Sequence, residues 1–94
     1  MRKRFIVSLI KNGIIGGSIL AQTDAIIYTT NKLTIPKEYR YLKVRYDEIL
    51  SATTSWFLIF PAVTLKLKNN SEHKFIIFFN RKRFINLLTQ NGVK

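Results

Sequence analysis

The residues of this 94-residue chain that could do chemistry are few, and most of them are cationic. Cysteine is absent, which excludes thiolate chemistry and a disulfide framework. His73 is the only histidine, so the usual multi-histidine metal sites are excluded. Asp47 and Glu48 are adjacent carboxylates. Neighbours in sequence point to opposite sides of a strand or flank a turn, which suits paired acid–base work poorly. Nucleophilic catalysis needs a base beside its nucleophile, and His73 opens a strand after a turn, the place of a surface residue. Neither G-x-x-x-x-G-K-[ST] nor G-x-G-x-x-G occurs. The expectation is a chain that is not an enzyme and that needs no cofactor and no metal.

What remains is charge. Sixteen Lys and Arg face five Asp and Glu, a formal net charge of +11. So large a positive field draws a small domain toward an anionic partner: a lipid head group, a nucleic acid or an acidic protein. The competing explanations are colloidal solubility and the Lys-, Ile- and Asn-rich composition of an AT-rich genome. Hydrophobic residues make up 47% of the chain, enough for a core, and 94 residues make a single domain, 1–94.

The N-terminus poses a choice. Arg2, Lys3 and Arg4 followed by "FIVSLI" resemble the start of a secretory signal, but the apolar run breaks at Lys11-Asn12-Gly13 and no A-x-A site follows. The stretch "GGSILAQTDAIIYTT" (16–30) reads better as a β-hairpin. "SILAQ" and "AIIYTT" are its strands, Thr23-Asp24 its turn, and Gly16-Gly17 punctuates the first strand's start. No run approaches the roughly 20 apolar residues of a membrane-spanning helix.

The β pattern continues. Residues 34–40 form a loop around Pro36. "RYLKVRY" (40–46) alternates, with Leu42, Val44 and Tyr46 on the buried face and Tyr41, Lys43 and Arg45 outside. Asp47-Glu48 is a turn, and "ILSATTSWFLIF" (49–60) is a strand run bent or interrupted near Trp56. "AVTLKLK" points Val63, Leu65 and Leu67 inward and pairs across "NNSE" with "HKFIIFF" as a hairpin. The period then changes. Asn80 is placed as an N-cap, Phe84, Leu87 and Leu88 make a helical stripe beside Ile85, and Asn91-Gly92 is the stop. Arg81, Lys82 and Arg83 fill the first turn, where the helix dipole disfavours positive charge. That triplet reads either as a partner-facing basic knob or as plain background composition.

Six or seven strands closed by one amphipathic helix suggest a small barrel plugged at an open end. The residues also resemble a family. "GGSILAQTDAIIY" looks like the first hairpin of GRAM and bacterial pleckstrin-homology-like domains, with Gly16, Gly17, Ile19, Ala21, Ile26, Ile27 and Tyr28 in register. Gln22-Thr23 departs from the family turn, where Asp24 supplies the carboxylate one place later. "VRYDEI", "FPAVTLKLKNNSEHKFII" and "NRKRFINLL" are similar to its later strand, central hairpin and helix start, with Arg45 replacing a family proline and Pro61 retained. The resemblance implies a mainly β fold: a pleckstrin-homology-like split barrel of about seven antiparallel strands capped by one C-terminal α-helix. Such a fold does not by itself fix function.

Three readings of function follow. In the first, a binding module meets an anionic membrane surface. The resemblance puts head groups among the early loops at the open end of the barrel, which gives Arg2, Lys3, Arg4, Lys11, Lys32, Lys37, Arg40 and Lys43 as lipid- or anion-binding residues. The expected location is the cytoplasm, peripheral at the inner face of the membrane. In the second, an exposed sheet edge takes a protein partner or a second copy of the chain, with "SWFLIF" as the greasy contact. Against that stands the expectation that Trp56, Phe57 and Phe60 fill the barrel interior or lie under the helix. In the third, ranked last, Tyr39, Tyr41 and Tyr46 interleaved with Arg40, Lys43 and Arg45 stack nucleic-acid bases.

Overall fold

Period-two alternation of apolar residues sets the strands, and the change to helical spacing after residue 80 sets the single helix. A computed structural model of the chain describes residues 3–11, 13–31 and 37–94. Its elements run β1 (Lys3–Ile10), β2 (Ile14–Ala21), β3 (Ala25–Thr29), β4 (Tyr41–Arg45), β5 (Ile49–Phe57), β6 (Phe60–Leu67), β7 (Glu72–Ile77) and α1 (Arg81–Gln90). Short 3-10 turns at Lys37–Tyr39 and Tyr46–Glu48 lead into β4 and β5.

All neighbours are antiparallel, in the order β4-β3-β2-β1-β7-β6-β5. The sheet curls into a half-barrel with α1 as its plug. Stagger produces the curl: β7 pairs only with Val7–Ile10 of β1, whereas β3 pairs only with Ser18–Ala21 of β2. The inner face is the core. Phe5, Val7 and Leu9 of β1 meet Ile19, Tyr28, Val63, Leu65, Phe75 and Ile77, and Phe84, Leu87 and Leu88 of α1 close over them. Phe5 and Phe84 pack edge to face with centroids 5.1 Å apart.

Several sequence expectations need correction. Gly16 and Gly17 lie inside β2, not ahead of it. A Cβ on Gly17 would run into the Thr29 carbonyl oxygen and the Tyr28 ring, so the strands approach there at a distance only glycine allows. The hairpin β2–β3 is consequently the second of the fold, because "FIVSLI" forms β1 and pairs with β2 first. The interruption expected near Trp56 falls two residues beyond it, at Leu58 and Ile59 after β5 ends at Phe57, and a separate bulge lies at Leu50. Asn80 precedes the helix at φ 62° without a side-chain cap; its carbonyl accepts from the Phe84 N–H at 3.0 Å. The stop is as read: Gly92 adopts φ 88°, and Val93 is buried while its N–H returns to the Leu88 carbonyl. Among the described residues, no helix is long and apolar enough to cross a membrane.

Candidate functional site

The largest departure from the expected core is at the end of β5. Phe57 pairs with Phe60, so Leu58 and Ile59 alone make the turn between β5 and β6. Two-residue hairpin turns favour Asn, Asp or Gly because the backbone takes positive φ. The longer β6–β7 turn meets the same need for positive φ with asparagine. There Asn70 holds φ 72°, and the Asn69 side-chain oxygen accepts from the Ser71 N–H at 2.9 Å. The β5–β6 turn does not: Leu58 holds φ 57°. Left-handed backbone costs a residue bearing a Cβ about 1–2 kcal/mol.

These turn residues are also the most solvent-exposed large apolar side chains described, Leu58 at 79% and Ile59 at 82%. Trp56 is 63% exposed and Phe79, just before α1, 64%. The expectation that Trp56, Phe57 and Phe60 fill the interior is therefore overturned. Phe57 and Phe60 are half-buried on the outer face, because their β5–β6 register puts them opposite in phase to Val63 and Leu65. Phe60 packs edge to face on Phe78 at 5.6 Å, and the Phe78 N–H donates to the Ile6 carbonyl at 3.2 Å. Ile6 is exposed beside them, so one apolar surface runs from the turn tip across β7 to β1.

Cations ring this surface. The Arg81 guanidinium lies 4.9 Å from the Trp56 ring centroid and donates to the Ser55 carbonyl at 2.6 Å. Those contacts offset its poor place at a helix N-terminus. The Lys74 ammonium is 5.8 Å from the Phe57 ring, and Arg83 sits as far from Phe5. Lys82 and Arg83 are exposed, as is Arg4, two residues from Ile6 on the same face of β1. The acids lie elsewhere. Asp24 and Asp47 line a depression of about 380 Å³ with Arg45, Lys68, Asn91 and Gly92, at the C-terminal end of α1. Arg45 grips Asp47 through two hydrogen bonds of 3.2 and 3.1 Å, which holds that carboxyl below the usual carboxylate range. Glu48 accepts from the Arg45 N–H in the same turn, and Glu72 pairs with Lys66 across β6 and β7. A ten-residue helix is about 15 Å long, so α1 separates a cationic, aromatic end from one where Arg45 and Lys68 offset Asp24 and Asp47.

The cations expected to bind an anion do not form one cluster. Arg2 and Lys32 lie outside the described residues. Lys3 opens β1 opposite Ala21. Arg4 donates to the Ser18 hydroxyl at 3.2 Å, beside an open depression of about 470 Å³ lined by Gly16, Gly17, Thr29 and Asn31. Lys43 shares its cross-strand row, Arg4–Leu20–Ile27–Lys43, but three strand spacings away, about 14 Å. Lys11 does lie near the segment that carries Lys37 and Arg40. The Lys11 ammonium is 5.8 Å from the Tyr39 ring, so the β1–β2 turn touches the segment carrying Lys37 and Arg40. The tyrosines do not make a stacking platform. Tyr46 is buried with its hydroxyl donating to the Gln22 carbonyl at 2.8 Å, Tyr39 is half-buried, and Tyr41 is exposed. His73, expected at the surface, is half-buried, and its pKa is lowered by burial and by the charge of Lys11. Sequence reading noticed the residues of the aromatic end but assigned them inward. The signal that marks them is an apolar pair where a hairpin of this register needs turn residues.

No protein-family model and no curated protein matches the sequence. Among solved structures, the chain is similar to the C-terminal domain of an unknown protein from Leishmania infantum, with a TM-score of 0.77 at 15% identity over 94% of this chain and 79% of that one. At that identity the likeness is one of fold.

Proposed function

We propose that the chain is a non-enzymatic binding module of the pleckstrin-homology-like kind that docks reversibly on anionic membrane surfaces. The observation that carries this reading is the coincidence of an exposed apolar surface and a set of cations at one end of the molecule, while at the other Asp24 and Asp47 are offset by Arg45 and Lys68. A protein-binding surface needs apolar area but no such polarity. A membrane surface rewards both, since anionic head groups attract the cations while the interface accepts the aromatic rings. Each basic residue near an anionic leaflet contributes about 1 kcal/mol, so Arg4, Lys74, Lys82 and Arg83 together supply about 4 kcal/mol. Apolar contact adds to this, which makes micromolar attachment reachable without a dedicated head-group pocket. The Lys11, Lys37 and Arg40 group is a second basic surface that adds to the long-range attraction.

Co-sedimentation with phosphatidylcholine vesicles carrying a graded share of phosphatidylglycerol tests the reading. The expected result is binding at physiological ionic strength that rises with the anionic share. Absence of binding to strongly anionic vesicles overturns it.

A further inference from the structure

We infer that the Leu58–Ile59 turn is a wedge that enters the bilayer at the boundary between head groups and acyl chains, with Trp56 held at the interface by Arg81. This rests on the membrane reading above and adds the orientation and depth of the bound molecule.

Three independent observations converge on the turn. Its two residues are aliphatic where a turn of this length favours Asn or Gly, and Leu58 accepts left-handed backbone at φ 57° to stay there. Both side chains stand clear of the fold, at 79% and 82% exposure, so neither contributes to packing the core. The backbone suits shallow insertion only: Phe57 and Phe60 pair across the β5–β6 ladder directly behind the tip, while β5 is the sheet's edge strand, so the turn enters and the open edge behind it stays in water.

The chemistry is layered along the hairpin. Aliphatic side chains form the tip. The exposed ring of Trp56 lies two residues behind it, where an indole favours the membrane–water interface. Behind Trp56 sits the Arg81 guanidinium, followed in sequence by Lys82 and Arg83, at the height where lipid phosphates would lie. An interfacial element of this kind sits roughly 5–10 Å below the head groups. The occupant is an anionic bilayer on grounds of charge. A second copy of the chain would bring another +11 against the same cationic ring.

Trp56 is the only tryptophan, so its emission reports the tip directly. The experiment uses the full chain with vesicles of phosphatidylcholine and phosphatidylglycerol carrying bromine at a shallow or a deep acyl position. The expected result is a blue shift of Trp56 emission on binding, with shallow bromines quenching more than deep ones. The double variant Leu58→Gly/Ile59→Asn puts glycine at the turn position of positive φ and a polar turn residue after it, so it keeps its fold, and it should lose at least tenfold in vesicle affinity. If the wild type co-sediments while Trp56 is neither shifted nor quenched, the wedge is overturned and the membrane reading stands. If the wild type does not bind vesicles, both fall. A dimer in sedimentation velocity that disappears in the double variant, without lipid quenching, also overturns the wedge and assigns the tip to a second copy.

Discussion

Gly17 shows how a single atom shapes the sheet. Its missing Cβ lets β3 approach β2 so that the Tyr28 hydroxyl reaches the Ile15 carbonyl at 2.7 Å and the Thr30 hydroxyl reaches the Gly16 carbonyl at 2.7 Å. Gly17→Ala should therefore destabilise the fold by about 2–4 kcal/mol, the range for overpacking combined with a broken buried hydrogen bond. Gly16→Ala meets only the Ser8 hydroxyl at 3.9 Å and should stay near wild type. Chemical denaturation of the two variants checks the contrast. His73 makes a second residue-scale prediction. Burial and Lys11 lower its pKa, so the unfolded chain binds a proton more readily than the folded one. The associated stability is fully present above the unfolded value of about 6.5 and is lost as pH falls below it. Asp47 is held below the usual carboxylate range and titrates lower still, outside that interval. Thermal melts between pH 7.5 and 5 should show a decline in the wild type that His73→Gln reduces.

At the scale of elements, the two hairpin turns of the β5–β6–β7 meander are a natural comparison. The β6–β7 turn uses Asn69, Asn70 and Ser71, whereas the β5–β6 turn uses Leu58 and Ile59. Replacing Leu58 by Gly and Ile59 by Asn should raise unfolding stability by about 1 kcal/mol through relief of the left-handed leucine, read as a higher melting temperature. A gain in stability joined to a loss of vesicle binding would be the signature of a turn shaped by function. The same comparison explains what the sequence discloses. Strands with one buried face are legible: Leu42 and Val44 in β4, with Tyr46 just past its end, and Val63, Leu65 and Leu67 in β6 turn inward as alternation requires. The helix was equally legible from Phe84, Leu87 and Leu88. The run 49–60 was not, because twelve residues without a charge, Gly or Pro carry no punctuation, and alternation cannot locate a turn made of aliphatic residues. Aromatic residues in such a run read as core by default, which is why Trp56, Phe57 and Phe60 are expected inward. The basic loops were legible as composition only, since whether Arg4 and Lys43 lie near Lys11 depends on strand stagger that no local pattern encodes.

Over the whole molecule, the half-barrel and its plug give charge a direction. The helix spans the barrel from the Trp56–Arg81 corner to the depression where Arg45 and Lys68 offset Asp24 and Asp47, so a net charge of +11 is expressed unevenly. Uneven charge orients a protein as it nears a charged surface, and the apolar tip then leads. The most direct test of this account compares two charge variants with the wild type in vesicle co-sedimentation at physiological ionic strength. One is Lys74→Gln/Lys82→Gln/Arg83→Gln, at the aromatic end; the other is Lys11→Gln/Lys37→Gln/Arg40→Gln/Lys43→Gln, on the loops and outer sheet. With about 1 kcal/mol for each cation at the bilayer, the first should lose at least tenfold in affinity although it removes fewer charges, and the second should lose less. Loss confined to the second variant, or no binding by the wild type, would contradict the account.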